Sequence, residues 1–239
     1  MRKLKVLIGC EESQAVTKAF RQLGHETFSC DLLPCSGGHP EWHYQEDVFK
    51  IIKLQDWDLA IFHPPCTFLS VSGAKWMYHP DDNLLPYTDR RPHPRFPNRR
   101  QQQIYALDFV RKLMAVNIPY IAIENPISVI SSQIRKPDQI IQPWQFGDEA
   151  MKTTCLWTKN LPQLIHTEIV GKGEKVIYAS GKSHAKWYAD AITNAKTDAE
   201  RRTLRSKTFP GIASAIASAI ASQWSEFITS QYNMQQLSA

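Results

Sequence analysis

Apolar positions along the chain fall into short continuous runs, separated by stretches of helical spacing. The first run is Lys5-Val6-Leu7-Ile8-Gly9, β-prone and closed by a glycine and then polar residues. From Ser13 the period changes. Val16, Ala19, Phe20 and Leu23 lie three and four residues apart, on one face of a helix that Gly24 stops. His25 to Cys30 predicts a second strand, closed by Asp31. Trp57-Asp58-Leu59-Ala60-Ile61-Phe62 predicts a third, bounded by Pro64-Pro65, and Pro119-Tyr120-Ile121-Ala122-Ile123 a further one, bounded by Asn125-Pro126. Between these two the spacing predicts a helix over Gln101 to Met114, with Ile104, Leu107, Phe109, Val110 and Leu113 on its apolar face. Strands alternating with helices predict an α/β fold, a mostly parallel sheet with helices on both faces.

Two segments break this pattern. Tyr78 to Arg100 carries Pro80, Pro86, Pro92, Pro94 and Pro97 together with Arg90, Arg91, Arg95, Arg99 and Arg100. So many prolines forbid a regular strand or helix, which leaves a long basic loop inserted at about 78–100. The run Ile212-Ala213-Ser214-Ala215-Ile216-Ala217-Ser218-Ala219-Ile220-Ala221-Ser222 repeats every four residues and predicts one small-residue helix closing the fold. After Tyr232 the pattern is polar, and a frayed tail is expected. No linker divides the chain, so residues 1–239 are expected to form one domain.

Composition narrows the class without choosing a function. In 239 residues, 43% are hydrophobic and 21% charged, an ordinary globular balance that excludes a disordered or collagenous chain. A chain of this length buries roughly 70% of its unfolded surface and needs no staples. No apolar run approaches the ~20 residues of a membrane span. The run Val6-Leu7-Ile8 is too short for a signal peptide, so a soluble, cytoplasmic protein with no membrane partner is expected. The net charge of +5 suits a polyanionic partner without requiring one. Five cysteines, an odd count, argue for reduced thiols over a disulfide framework.

In an open parallel sheet, ligands bind beyond the carboxyl ends of the strands. The residues that follow the predicted strands are Gly9-Cys10-Glu11-Glu12-Ser13, Asp31, Asp47, His63-Pro64-Pro65-Cys66 and Glu124-Asn125-Pro126. A cysteine after a rigid diproline has the placement of a nucleophile, and acidic groups after early strands have the placement that holds ribose hydroxyls. Ordinary roles stand open beside each. Cys66 as a buried thiol, Glu124 as a turn cap, Glu11 and Glu12 at a helix N-terminus, and Asp31 and Asp47 as turn residues all fit their residue types. Cys30, Cys35, His39 and His43 are possible zinc ligands, but their spacing matches no common finger and no metal is expected. The arginine segment, interleaved with Tyr87, His93 and Phe96, suits phosphates and bases, or else a solvated insertion or oligomer contact. Arg201, Arg202, Arg205 and Lys207 fit a solvated helix face, and Trp187 and Tyr188 fit packing.

The order of glycine turn, acidic strand end, Pro64-Pro65-Cys66 and Glu124-Asn125 resembles the DNA cytosine-C5 methyltransferase family, in the short form of phages and prophages. Gln145-Phe146-Gly147, Thr153-Thr154-Cys155-Leu156-Trp157 and Arg205-Ser206-Lys207-Thr208-Phe209-Pro210-Gly211-Ile212-Ala213 look like further stretches of its short members. The resemblance implies a class I S-adenosylmethionine-dependent methyltransferase fold and methylation of cytosine at C5 in DNA. Cys66 would add to C6, Glu124 would neutralise charge at N3, and Asn125 would hold the backbone. S-adenosyl-L-methionine would meet Gly9, Cys10, Glu11, Glu12 and Ser13 at its methionine end, Asp31 at the ribose and Asp47 at the adenine amino group. Leu32, Val48, His63 and Pro65 complete that implied set, and Arg90, Arg91, Arg95, Arg99 and Arg100 are the implied contacts to DNA. The chain departs from the family in three respects, one being that no target-recognition domain of typical size is visible. One glycine stands where the family has a Phe-x-Gly-x-Gly turn, and a Gln-x-Arg-x-Arg motif is absent. The same fold acting on RNA or a free cytosine nucleotide, and a non-catalytic nucleic-acid binder, are the alternative functions.

Overall fold

The structure, a computed structural model, describes residues 2–197 and 210–237. Its strands are β1 (Lys5–Gly9), β2 (Glu26–Asp31), β3 (His43–Gln45), β4 (Leu59–Phe62), β5 (Tyr120–Asn125), β6 (Gln139–Ile141), β7 (Thr154–Lys159), β8 (Lys175–Ile177) and β9 (Ser183–Ala185). The helices are α1 (Ala15–Gln22), α2 (Val48–Ile51), α3 (Arg99–Met114), α4 (Ile130–Gln133), α5 (Lys186–Asn194) and α6 (Pro210–Leu237). Seven strands form one sheet in the order β3-β2-β1-β4-β5-β7-β6, and β8 and β9 form a separate hairpin. Strands β3, β2, β1, β4 and β5 are parallel, while β7 runs antiparallel to both β5 and β6. This order with a reversed β7 is the Rossmann-like sheet of the class I S-adenosylmethionine-dependent methyltransferase fold.

The period of two along each strand explains why both faces are covered. Val6 and Ile8 of β1, Leu59 and Ile61 of β4, Ala122 of β5 and Leu156 of β7 point to one face. There they meet Val16, Ala19 and Phe20 of α1 and Ala217, Ile220, Ala221, Trp224 and Ile228 of α6. Leu7, Ala60, Phe62, Ile121, Ile123, Cys155 and Trp157 point to the other face, against Val48 and Ile51 of α2 and Leu107, Val110 and Leu113 of α3. The alanines of α6 recur at helical spacing and let it lie close on α1. Trp224 is fully buried there, and its indole N–H donates to the Pro162 carbonyl at 3.0 Å.

The structure differs from the sequence pattern at element ends. β5 continues through Glu124 and Asn125 instead of stopping at Ile123, because β7 pairs with them in the register Glu124–Leu156 and Asn125–Cys155. α6 extends to Leu237, past the Tyr232 where a frayed tail was expected. α3 begins at Arg99 and draws the last two arginines of the predicted loop into its first turn. Arg201, Arg202, Arg205 and Lys207, with the rest of Arg205–Phe209, lie outside the described residues. No helix among the described residues is long and apolar enough to cross a membrane.

Candidate active site

The strand order reverses between β1 and β4, so their carboxyl ends open the crevice where α/β sheets bind ligands. Gly9 ends β1 level with Cys30 and Phe62. A Cβ at Gly9 would stand 2.6 Å from the Phe62 ring and 2.8 Å from Val48, so close packing requires glycine. The chain then turns sharply, with Cys10 and Gln14 both in the left-handed region at φ 59°. Glu11 is buried, and its carboxylate accepts from the backbone N–H of Val16 (2.7 Å) and Thr17 (3.3 Å) and from the Thr17 hydroxyl (2.6 Å). It thus caps the N-terminus of α1 from outside the helix. Glu12 accepts from the Ser36 hydroxyl. Gln14 bridges Ser29 and the His39 carbonyl, closing the 33–39 loop over the turn that contains Ser13.

Asp31 and Asp47 share one arrangement. Oδ1 of Asp31 accepts from the Leu33 N–H at 2.9 Å, and Oδ1 of Asp47 accepts from the Phe49 N–H at 2.8 Å as the N-cap of α2. Each carboxylate builds its own turn through one oxygen, Oδ1. Leu32 is exposed beside Asp31, and Val48 is buried beneath Asp47. Between them the Cys10 thiol is pushed up to about 12, first by burial and then by Asp31, Cys30 and Asp47. Cys10 is therefore a protonated thiol at neutral pH and an unsuitable nucleophile. None of the five cysteines is in a disulfide. Three of the four possible zinc ligands are engaged in other contacts. His43 joins Ser29 and the Leu33 carbonyl, His39 stacks on Trp42 at 3.7 Å, and Cys30 donates to the Glu46 carbonyl. Among the described residues no group of three His, Cys, Asp or Glu is disposed to hold a metal.

The second half of the crevice is built around Cys66. His63 N–H donates to the Gly9 carbonyl, fixing the exit of β4 beside the β1 turn. Pro64 and Pro65 carry the chain into a 3-10 turn, Cys66–Phe68, closed by Leu69 N–H and Ser70 N–H on the Cys66 carbonyl. Every side of this turn is tied down. Asn125 is 1% exposed and donates Nδ2 to the Pro64 carbonyl at 2.8 Å. Val71 N–H donates to Ile127, and Val129 N–H donates to Leu69. From α3, Arg99 Nη2 donates to the Thr67 carbonyl at 2.7 Å and Gln103 Nε2 to the Phe68 carbonyl at 2.9 Å. The Arg99 guanidinium lies over the Phe68 ring and packs against Gly73.

Beside this turn, His63 Nδ1 and Glu124 Oε2 are 3.1 Å apart, with about a quarter of each side chain exposed. Burial alone would push the Glu124 carboxyl up. The hydrogen bond and charge of His63, then Lys152 and the Thr154 hydroxyl, outweigh it and hold Glu124 below the usual carboxylate range. Burial likewise pushes the imidazole down, but Glu124 and then Glu11 hold His63 above its ordinary value. Glu124 is therefore an anion at neutral pH. Sequence reasoning missed this pairing of His63, the approach of Thr154 from the start of β7 and of Lys152 from the segment before it, and the grip of Arg99 and Gln103. No local motif announces any of them, since all depend on strand register and helix docking.

The five arginines separate by geometry. Arg91 makes an ion pair with Asp82 at 2.6 Å. Arg90 donates to the carbonyls of Asn83 and Leu85 and lies over Tyr87 at 4.3 Å. Arg99 is buried under the Cys66 turn. Arg95 and Arg100 are exposed over aromatic rings, Phe96 at 5.6 Å and Tyr78 at 5.4 Å. Trp76, His93 and Phe96 pack together beneath the segment. Trp187 and Tyr188 sit edge to face on α5, with the Trp187 indole donating to the Met151 carbonyl.

No protein-family model matches the chain, and no curated protein does. Similar solved structures include an Escherichia coli prophage protein assigned as a DNA modification methyltransferase, at TM-score 0.40 and 13% identity over 71% of this chain and 52% of that one. The S. pombe Dnmt2 methyltransferase is similar at TM-score 0.38 and 17% identity, over 67% of this chain and 50% of that one. An Escherichia coli rRNA methylase is similar at TM-score 0.33 and 14% identity, over 66% and 57%. The chain spans about half the length of the solved proteins it matches.

Proposed function

We propose that this protein transfers a methyl group to C5 of cytosine in DNA, through a covalent bond between Cys66 Sγ and C6 of the base. The observation that carries this reading is the docking of the Pro-Pro-Cys turn onto the Glu-Asn end of β5. Asn125 bonds the Pro64 carbonyl and Glu124 bonds His63, so nucleophile and carboxylate are held as one unit. Cytosine C5 is a poor nucleophile. Addition of a thiolate to C6 makes an enamine that is a good one, provided N3 is neutralised. Cys66 supplies the thiolate and Glu124 faces N3. Asn125 holds the turn and takes no part in bond making.

The other half of the crevice fits S-adenosyl-L-methionine. Asp31 and Asp47 each offer one unbonded carboxylate oxygen to hydroxyl and amino donors. Glu11 and Glu12 are occupied by α1 and Ser36, so the turn would contribute its backbone. When bound, the cofactor supplies the electrophilic methyl. A duplex cytosine must leave the stack to reach Cys66, and the exposed Arg95 and Arg100 are the arginines of the segment placed for phosphates.

The test is transfer of tritium-labelled methyl groups to duplex DNA, single-stranded DNA, RNA and dCMP, with Cys66→Ala in parallel. Label recovered as 5-methylcytosine in DNA, and lost in the variant, supports the reading. Label confined to RNA or dCMP moves the substrate to the alternative, and label at another atom overturns the Cys66 chemistry.

A further inference from the structure

Glu124 is held as an anion, yet the proposed chemistry asks it to bring a proton to N3. We propose that His63 supplies that proton: His63 and Glu124 form one proton-holding pair across the ends of β4 and β5, with Glu124 passing the proton to N3 of the target cytosine. The inference rests on the cytosine reading above.

The register Phe62–Ile123 brings the next residues level, and their side chains meet at 3.1 Å. His63 Nε2 is buried without a hydrogen-bond partner, so the ring makes its one side-chain bond through Nδ1 to Glu124. The charged groups facing His63 are Glu124, Glu11 and Lys152, and those facing Glu124 are His63 and Lys152, with the Thr154 hydroxyl and the Cys155 thiol nearby. Two carboxylates against one lysine favour a proton on the imidazole. Burial opposes that proton, but the bond and charge of Glu124, and then Glu11, outweigh it and raise the proton affinity of the imidazole above its ordinary value.

The step balances. As Cys66 Sγ bonds to C6, the C5=C6 π electrons form C4=C5 and the N3=C4 π electrons move onto N3. The Nδ1–H bond of His63 breaks, Glu124 carries the proton, and an N3–H bond forms, leaving a neutral imidazole. After methylation the C5 proton leaves to a base, C5=C6 re-forms, and the C6–S electrons return to Cys66. The N3 proton goes back to the pair, which ends as it began. His63 acts through Glu124 and is a positioning residue, not one that touches the base.

The experiment follows wild type, His63→Gln and His63→Asn through a pH profile of 5-methylcytosine formation, with melting temperatures confirming the fold. The wild-type rate falls on the alkaline side as the pair loses its proton. In His63→Gln that fall moves to lower pH by about one unit or more, and kcat drops ~10²-fold with KM for DNA little changed. A second readout needs no turnover. The His63 imidazole titrates above the ordinary ~6.5 by NMR and drops toward it in Glu124→Gln. A wild-type pH profile in His63→Gln, or a His63 titration unmoved by Glu124→Gln, overturns the pair and leaves the cytosine reading standing. Wild-type protein that makes no 5-methylcytosine on any substrate overturns both. If His63→Gln fails to fold, His63→Asn and the NMR titration decide.

Discussion

The two halves of the crevice use charged side chains in opposite ways. On the β1-β2-β3 side, Glu11, Asp31 and Asp47 each accept from backbone N–H groups of the turn or helix that follows them. On the β4-β5-β7 side, His63, Glu124 and Lys152 act on one another across strands, and Cys66 sits in a turn held by Asn125, Arg99 and Gln103. The first half spends its carboxylates on local structure and leaves spare oxygens, which suits recognition of a ligand. The second half couples titratable groups over 61 residues of sequence, which suits proton movement. Substitutions should therefore divide: stability first on one side, rate first on the other.

The largest expected effect is at Cys66. Cys66→Ala lowers methyl transfer by roughly 10⁴-fold or more and abolishes the denaturation-resistant complex with 5-fluorocytosine DNA, at a stability cost within ~1 kcal/mol. Cys10→Ala keeps the complex, since its thiol near 12 is protonated at working pH. A complex lost in Cys10→Ala and kept in Cys66→Ala would exchange the roles of the two halves. Asn125→Ala comes next. It leaves the Pro64 carbonyl without its donor, costing about 1–3 kcal/mol by thermal melting, and it lets the turn shift, costing about 10²-fold in rate. On the other side, Glu11→Ala removes the cap of α1 and costs about 1–2 kcal/mol. A loss of activity at unchanged melting temperature would show Glu11 acting on a ligand instead.

The arginines sharpen the comparison further. Arg95→Ala with Arg100→Ala flattens the salt dependence of DNA binding by a slope of about 2, one phosphate each at ~0.9. Arg99→Ala leaves that slope unchanged and lowers turnover, because its partner is the Thr67 carbonyl of the Cys66 turn. An altered slope in Arg99→Ala would return it to the phosphate-binding set.

Much of this was legible because period and punctuation are local. The runs Val6–Ile8 and Leu59–Phe62 read as buried strands, and the glycine, the diproline and Asp31 marked their ends, so the carboxyl edge was found from the chain alone. β3, β6, β8 and β9 are three residues each, too short for any period to register. The extension of β5 through Glu124 depends on β7 pairing with it from thirty residues away, and no pattern in 120–125 carries that information. The site split the same way. Cys66 and Glu124 stood out by residue type after a strand, whereas the His63 partnership arises from the parallel register of β4 and β5. Arginines show the limit most sharply. Five in one segment read as a single charge cluster, and only packing distinguishes Arg99, turned inward, from Arg95 and Arg100.

The smallest expected effect tests whether the arginine segment is folded structure or merely a charged excursion. Asp82 is buried there, and its carboxylate accepts from Arg91 Nη2 at 2.6 Å, Nε at 3.0 Å and the Arg91 backbone N–H at 2.7 Å. The Arg91 side chain first, then its N–H, hold the Asp82 carboxyl down at about 2. An unfolded aspartate titrates near ~3.9, so the folded state prefers the ion. The stabilisation is therefore present in full above about pH 4 and is lost as pH falls through about 2. Asp82→Asn removes it at every pH. The melting-temperature gap between wild type and Asp82→Asn should stay constant through neutral pH, shrink below about 4 and close near 2. A gap that persists in acid would mean that the asparagine is disfavoured by packing alone, and that the Arg91 pair does not hold the segment. A gap absent at neutral pH would mean that the segment contributes nothing to folding, leaving Arg91 available to phosphates beside Arg95 and Arg100.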